Sequence, residues 1–269
     1  MSFVKDYYFK ITGICVLLIV IYLSLFFCRN LDKYNAKRAP LSFYQDITSI
    51  KSSVKLSPIV VPKYKLIFFW NSKSGGTYWK NLLQFIQGFR TTGQAAHRPR
   101  SNRLQTLTNF TDSDTVKMFM DKSWTKTVFV REPRERILSA YLHVESSSFK
   151  PCRRVVSSFS GFLQLIKTCK NIHWESQVQI PEKFYRYMMI GKISKIKEFS
   201  EKLLKKIGAW NEKVQMWLRS RNLGKFTKRH ATKANKALFN TITIQNCKNQ
   251  IFEMFIKDYK VFQYAKKYF

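Results

Sequence analysis

Residues 65–89 read KLIFFWNSKSGGTYWKNLLQFIQGF, and this stretch decides the fold. The apolar run 66–70 predicts a buried strand, the polar residues 71–77 predict a tight loop, and an amphipathic helix is expected from about Tyr78. Gly75 and Gly76 let backbone N–H groups approach an anion, and the helix N-terminus adds partial positive charge there. The stretch therefore predicts a phosphate-binding loop between a strand and a helix.

Two side chains in this loop strengthen the prediction. Lys73 would supply a cation and Thr77 a hydroxyl group. The nucleotide-kinase pattern G-x-x-x-x-G-K-[ST] is not met, because Lys73 precedes the glycines. On this stretch alone, the alternative that Gly75 and Gly76 only form a strand-to-helix turn stays open.

A second strand–loop–helix unit follows. Residues 126–130 (KTVFV) predict a strand, and a helical pattern begins near Arg134. Arg131 directly follows the strand and Ser139 lies in the helix, so the pair could clamp a second phosphate; a solvated surface arginine is the alternative. Two such units predict an α/β domain with a central parallel sheet that binds ligands at the carboxyl ends of its strands.

Composition limits the class of protein and the kind of partner. The 269 residues are 45% hydrophobic and 16% aromatic, which suits one packed domain of about 200 residues with appendages. Lys and Arg number 48 against 16 acidic residues, a net charge of +32. This excess favours a polyanionic partner, such as nucleic acid, an acidic membrane surface, an anionic glycan or a nucleotide. A generally basic solvated surface is the alternative.

The N-terminus predicts a membrane anchor. Residues 11–28 (ITGICVLLIVIYLSLFFC) carry no charge, and as a helix they would span about 27 Å, close to the thickness of a bilayer core. No small-residue cleavage site follows, which favours an uncleaved signal anchor. Residues 29–62 are basic and proline-punctuated and predict a stem, so the globular domain is expected from about residue 63. Basic residues flank the anchor on both sides, and the larger number after it points weakly against a lumenal domain, so charge alone does not fix the orientation.

The cysteines predict one bridge under one condition. Two of the five lie in the apolar run, which leaves Cys152, Cys169 and Cys247. If the domain is lumenal, Cys152–Cys169 is the expected disulfide, and three buried free thiols are the alternative. Asn109 begins one N-glycosylation sequon, which is compatible with a secreted or lumenal domain. No C-x-x-C pair and no H-E-x-x-H motif occurs, so no metal site is expected.

Two separated motifs resemble those of a known family. Residues 72–80 (SKSGGTYWK) resemble the P-K-x-G-x-[ST]-x-W-K loop of Golgi carbohydrate sulfotransferases. Residues 131–141 (REPRERILSAY) resemble their R-[DE]-P-x-E-R-x-x-S-A-[YF] segment. The likeness runs from about residue 63 to the C-terminus and points to the chondroitin 4-O- and HNK-1-type enzymes.

The resemblance implies a donor, 3′-phosphoadenosine 5′-phosphosulfate (PAPS), bound at a P-loop-like site. Seven consecutive residues would form the 5′-phosphosulfate side: Lys73, Ser74, Gly75, Gly76, Thr77, Tyr78 and Trp79. Arg131 and Ser139 would hold the 3′-phosphate. Charge develops on the leaving phosphate oxygen during transfer, and Lys73 is the candidate to stabilise it.

The acceptor hydroxyl needs a general base, for which histidine is favoured. Both His97 and His173 match family positions. His97 ranks slightly first, because related enzymes place the base between the two donor motifs. His143 and His230 are weaker candidates.

The resemblance also implies a setting. Residues 1–10 would be a cytoplasmic tail, 11–28 the transmembrane anchor, 29–62 the stem and 63–269 a lumenal domain of a single-pass type II Golgi membrane protein. The expected partner is an anionic, chondroitin-like glycan rather than nucleic acid. In the donor loop, Ser72 replaces the usual proline. Elsewhere Ser194 replaces an acidic residue, and a pair of cysteines expected after His173–Trp174 is missing, so the acceptor side diverges more than the donor side.

Two rival hypotheses remain. A type II Golgi glycosyltransferase could use Asp112 and Asp114 as a D-x-D metal–nucleotide motif, but no apolar strand precedes them, and Thr111 or Asp112 is typical of a helix cap. A catalytically inert, membrane-anchored polyanion-binding protein would keep the fold and the charge without donor binding.

Overall fold

The computed structural model describes Tyr22 and residues 40–53, 56–89, 103–146, 150–220 and 244–264. The chain divides into two compact units, Met1–Gln45 and Asp46–Phe269. In the first unit, the described residues are Tyr22 and residues 40–45, the latter reaching into helix α1. The second unit is a single α/β domain. The α-helices among the described residues are α1 (Leu41–Ser53), α2 (Gly76–Ile86), α3 (Asp112–Met120), α4 (Pro133–Glu145), α5 (Phe159–Thr168), α6 (Glu182–Tyr185), α7 (Ile196–Lys206), α8 (Glu212–Ser220), α9 (Ile244–Met254) and α10 (Ile256–Val261).

The described strands form one mixed sheet. They are β1 (Ile59–Val61), β2 (Leu66–Trp70), β3 (Gln105–Thr106), β4 (Thr125–Val130) and β5 (Met189–Lys192). Their order is β3-β1-β2-β4-β5. Strands β2, β4 and β5 are parallel, as predicted, but β1 is antiparallel to both β2 and β3. The expectation of a parallel sheet is thus correct for the three strands nearest the two motifs and wrong for the other edge.

The antiparallel strand follows from a short connection. Between β1 and β2 lie a 3-10 turn, Pro62–Tyr64, and Lys65 in the left-handed conformation with φ 45°. So few residues can reverse the chain but cannot make the crossover that a parallel pair needs. Both α1 and β1 lie in residues 29–62, which the sequence analysis assigned to the stem. A three-residue run between prolines is too short to show strand periodicity.

One core cluster packs against the sheet beside the first motif. Trp79 is 1% exposed, and its ring lies 4.7 Å from that of Phe68 and 4.8 Å from that of Phe129. A Cβ on Gly191 of β5 would lie 2.5 Å from a Phe129 ring atom and 2.6 Å from Phe199. Helices α2 and α7 therefore approach the sheet closely, and only glycine fits at position 191.

A second cluster joins helices α4, α5, α9 and α10 around Trp174. Its edge carries the expected bridge: Cys152 and Cys169 form a disulfide, with their Cα atoms 6.1 Å apart. The Trp174 indole N–H donates to the Cys169 carbonyl at 2.6 Å. Cys247 is a buried free thiol. The bridge therefore fixes the end of α5 next to the loop that carries His173.

Within the described residues, no helix combines the length and the apolar character needed to span a bilayer. The predicted anchor, residues 11–28, lies outside the described residues except for Tyr22.

Candidate active site

The first loop of the site joins β2 to α2. Gly75 has φ 81° and precedes the first helical residue, and Lys73 has φ 65°. These left-handed positions bend the chain sharply between strand and helix, which a non-glycine residue tolerates only with strain. A Cβ on Gly76 would lie 3.2 Å from the Trp70 ring. The loop therefore places the first N–H groups of α2 at the carboxyl edge of the sheet, as predicted.

The second loop lies beside the first because β2 and β4 are adjacent and parallel. The register pairs Trp70 with Phe129, so the residues that follow both strands meet at one edge. Arg131 is 3% exposed, and its guanidinium donates to the Lys73 carbonyl at 3.3 Å and to the Glu135 carboxylate at 3.3 Å. The structure thus brings together the two predicted cations, Lys73 and Arg131. Arg131 is a buried group that ties the loops to each other, and the alternative of a solvated surface arginine is wrong.

The proximity of these cations changes their titration. Burial, and then the positive charge of Arg131, lowers the pKa of Lys73 to about 8. Lys73 is therefore mostly protonated at neutral pH, but its pKa lies only slightly above that pH. A half-buried cation in this position is well suited to stabilise an anion.

The acidic residues of the second motif organise the loop. Glu132 accepts the Glu135 backbone N–H at 2.9 Å and so caps α4. The same carboxylate pairs with Arg134 at 2.9 Å and accepts the Tyr259 hydroxyl at 2.7 Å. Glu132 is therefore a structural residue that joins the second loop to helix α10.

Two histidines lie near Lys73. The imidazole rings of His143, on α4, and His173, in the loop after α5, are 5.3 Å apart in a T-shaped arrangement. Burial, and next the charge of Lys73, lowers the pKa of His173 to about 4. The same two causes, in the same order, lower the pKa of His143. Both rings are therefore neutral at neutral pH, the state in which an imidazole can accept a proton.

The structure describes two of the four candidate bases, His143 and His173. The charge of Lys73 acts on His173, and the His173 carbonyl accepts from the buried Arg136 guanidinium at 3.3 Å. His143 is a weak candidate from sequence, because no family motif includes it. The one available signal was its position about one helical turn after Ser139. His97 and His230 lie outside the described residues.

The remaining predicted donor residues divide into two groups. Ser74 lies in the first loop, Thr77 in the first turn of α2 and Ser139 on α4, with Ser74 buried and the other two half-buried. Tyr78 and Trp79 are 4% and 1% exposed, and their side chains point into the core. The Tyr78 hydroxyl lies 2.8 Å from that of Ser200 on α7. Tyr78 and Trp79 therefore position α2, and only their backbone is available at the helix N-terminus.

Sequence reasoning missed one central residue, Gln177. This side chain is 1% exposed and contacts both loops. No motif marks it, because its role depends on a fold that brings residues far apart in the chain together. The only available signal was its position shortly after the His173–Trp174 segment.

Both aspartates of the D-x-D alternative have protein partners: the Asp114 carboxylate accepts the Thr111 hydroxyl at 2.7 Å, and Asp112 forms an ion pair. Thr111 caps α3, accepting the Asp114 N–H at 3.1 Å, which confirms the predicted cap. Asp112 pairs with Lys51 at 2.7 Å. Within the described part of the chain, no group of three or more His, Cys, Asp or Glu side chains is arranged to hold a metal ion.

The comparisons with known proteins agree with this geometry. Residues 58–265 match the model of the sulfotransferase family. Carbohydrate sulfotransferase 10 of Homo sapiens is 30% identical over 102 residues, which cover 35% of this chain and 28% of that protein. The Gallus gallus protein of the same name is 29% identical over 114 residues, which cover 40% of this chain and 31% of that protein. The Danio rerio protein is 29% identical over 111 residues, which cover 39% of this chain and 30% of that protein. The alignments therefore span less than a third of the length of these curated relatives, and no solved structure matches the chain. Because the family match covers most of the chain, this protein belongs to the sulfotransferase family.

Proposed function

We propose that this protein transfers a sulfonate group from PAPS to a hydroxyl group of a glycan. One observation carries the proposal: the loops after β2 and β4, each with a cationic residue, meet at one edge of the sheet. The Arg131 guanidinium donates a hydrogen bond to the Lys73 carbonyl there. The match to the sulfotransferase family and the names of the curated relatives support it.

The residues of the first loop suit the phosphosulfate end of the donor. PAPS supplies a sulfonate bonded through oxygen to its 5′-phosphate. The N–H groups at the start of α2 and the Lys73 ammonium would hold that phosphate and stabilise the charge left on its bridging oxygen when the S–O bond breaks. Ser74, Gly75, Gly76 and Thr77 complete this side of the site.

The second loop suits the other phosphate. Arg131 and the Ser139 hydroxyl would hold the 3′-phosphate, the guanidinium supplying planar N–H donors that match phosphate geometry. Since Arg131 is tied to the first loop, the two phosphates of one donor would be bound at a fixed separation.

A neutral imidazole beside Lys73 suits the acceptor. We assign His173 as the general base that accepts the hydroxyl proton while the acceptor oxygen forms its bond to sulfur. Its pKa of about 4 keeps the ring unprotonated at neutral pH. His97, outside the described residues, stays an alternative base, and loss of activity in His97→Ala but not in His173→Ala would select it.

The cellular setting completes the proposal. We propose that residues 11–28 anchor the chain in the Golgi membrane as a type II protein, with residues 1–10 in the cytoplasm and the sulfotransferase domain in the lumen. The anchor's length and lack of charge support this, as does the Cys152–Cys169 disulfide, which is typical of an oxidising compartment. The net charge of +32 supports an anionic glycan as acceptor.

The direct test is a transfer assay with the full-length chain in detergent, radiolabelled PAPS and a panel of desulfated glycans. We expect labelled glycan with the wild type, and a loss of about 100- to 1,000-fold in kcat for Lys73→Ala and Arg131→Ala. The matched control is Lys63→Ala, which removes an exposed lysine from the turn before β2. This variant should transfer at the wild-type rate.

Three results would overturn the proposal. Wild-type rates in Lys73→Ala or Arg131→Ala would refute the site. Manganese-dependent transfer from a sugar nucleotide would establish the glycosyltransferase. Glycan binding without transfer and without a melting shift on adding adenosine 3′,5′-bisphosphate would establish the inert binder.

A further inference from the structure

The side chain of Gln177 pairs with the backbone of Arg131. Its Oε1 atom accepts the Arg131 N–H at 2.9 Å, and its Nε2 atom donates to the Arg131 carbonyl at 2.8 Å. The amide thus forms a closed pair of hydrogen bonds with one peptide residue, as a neighbouring strand would. This pair fixes the backbone of Arg131 where the chain leaves β4.

The same amide reaches the first loop. Oε1 of Gln177 also accepts the Ser74 hydroxyl at 3.2 Å. Two residues further on, the Gln179 side chain donates to the Asn71 side chain at 3.0 Å. A single segment, residues 177–179, therefore holds both loops from the side.

Asp258, on α10, holds Gln177 in turn. This carboxylate is 0% exposed; it accepts the Gln177 N–H at 3.0 Å and the Gln177 Nε2 group at 3.2 Å. It also accepts the Ser176 hydroxyl. A carboxylate can only accept, so it fixes which end of the amide faces Arg131 N–H and which faces the carbonyl. Burial lowers the pKa of the Arg136 guanidinium, and the charge of Asp258 offsets part of that lowering.

We propose that Gln177, oriented by Asp258, is a positioning residue that sets the separation of the two donor-binding loops. This inference rests on the proposed function, since the loops are assigned to the two ends of PAPS. Gln177 is fully enclosed and has no role in the transfer chemistry itself. It acts through Arg131 and Ser74, and a displacement of about 1 Å in such a site can cost about 100-fold in rate.

The test is Gln177→Glu, which keeps the size of the side chain but removes the Nε2 donor. The Arg131 carbonyl then loses its partner, and a second carboxylate lies beside Asp258. We expect the Kd of the full-length chain for adenosine 3′,5′-bisphosphate to rise about 10- to 100-fold, the effect of leaving one buried polar group unpaired. The KM for PAPS should rise with it, while the KM for the glycan stays unchanged.

A second readout needs no nucleotide. Without ligand, amide hydrogen exchange in peptides covering residues 71–78 and 131–136 should be faster in Gln177→Glu than in the wild type. The matched control is Leu163→Ala, a buried α5 residue that belongs to the second core cluster rather than to either loop and whose truncation should lower stability. It should leave the Kd unchanged, and it should not speed the exchange of these peptides more than that of the rest of the domain.

The outcomes separate the inference from the function on which it rests. If the wild type binds the nucleotide and Gln177→Glu binds it equally well, the inference is wrong and the proposed function stands. If Leu163→Ala weakens binding as much, the effect is one of stability and the inference is also wrong. If the wild type does not bind, the proposed function fails and the inference with it. If Gln177→Glu does not melt cooperatively, the test uses Gln177→Asn, which keeps the amide but shortens its reach. This variant should bind the nucleotide at least several-fold more weakly than the wild type. Wild-type affinity in Gln177→Asn would overturn the inference.

Discussion

Lys73 shows how a single residue connects the two loops of the candidate site. It occupies a left-handed backbone position at φ 65°, and its carbonyl accepts from the Arg131 guanidinium at 3.3 Å. Burial and the Arg131 charge lower its pKa to about 8. Burial, and after it the charge of Lys73, lowers the pKa of His173 to about 4. In the proposed reaction, Lys73 would thus be the charged group on the donor side and His173 the neutral base on the acceptor side.

This electrostatic coupling predicts the pH dependence of transfer. An ordinary histidine base would give an acidic limb near pH 6.5, whereas His173 should leave kcat/KM for the glycan flat from about pH 5 to 7. Above about pH 8, loss of the Lys73 proton should lower kcat/KM for PAPS. Rates measured across this range in a constant-ionic-strength buffer series test both limbs. A limb near pH 6.5 that disappears in His173→Ala would contradict the assigned pKa.

At the scale of elements, the site depends on how closely the helices approach the parallel half of the sheet. Loops after β2 and β4 meet because these strands are adjacent and parallel. Gly191 permits the close packing of β5 against α7, because a side chain there would overlap Phe129 and Phe199. Close packing of β5 against α7 therefore requires glycine at this position.

Gly191→Ala should therefore destabilise the domain. Forcing a methyl group against two buried rings costs about 1–3 kcal/mol in the free energy of unfolding, measurable by urea denaturation. Gly161→Ala in α5 is the matched control, since its Cβ would meet only the Ser158 hydroxyl, at 3.2 Å. That change should stay within about 1 kcal/mol of the wild type. Equal effects at both positions would show that the close approach at Gly191 does not limit stability.

The disulfide acts on the second core cluster, next to the loop of His173. It closes a loop with a sequence separation of 17 residues, which corresponds to about 3 kcal/mol in the chain-entropy description. Reduction should lower the Tm by about 6–12 °C for a domain of this size. The double variant Cys152→Ser/Cys169→Ser should have the lower Tm with or without reductant. A wild-type Tm that does not respond to reductant would contradict a stabilising role.

The whole molecule contributes through its charge. The 48 basic residues far outnumber the 16 acidic ones, so an anionic glycan would be attracted over long distances rather than by single contacts alone. Such attraction is screened by salt, because the Debye length falls as ionic strength rises.

Salt should therefore discriminate between acceptors. Raising the salt from about 50 to 300 mM should increase the KM for a sulfated or carboxylated glycan several-fold, and that for an uncharged oligosaccharide much less. The two acceptors serve as each other's control in one assay with saturating PAPS. An identical salt response would mean that the positive charge serves another partner.

The sequence by itself determined the parts that depend on neighbouring residues. The two strand–loop–helix units, the cap at Thr111 and the family motifs were predicted because hydrophobic period, capping residues and loop glycines act within a few positions of each other. The Cys152–Cys169 pair followed similarly from a short spacing. These local signals were enough to predict the α/β class and to place Lys73 and Arg131 in the loops after two strands.

Only the tertiary structure decided the parts that depend on distant residues. It made β1 antiparallel through a turn too short for a crossover, buried Tyr78 and Trp79 in the core, and placed His143 beside His173. It also joined Gln177 to Asp258, 81 positions further along the chain. Such contacts follow from how helices pack on the sheet, and no local pattern encodes that packing. The sequence therefore determined which groups are the candidates proposed to hold a donor, and the tertiary structure decided how those groups are held in place.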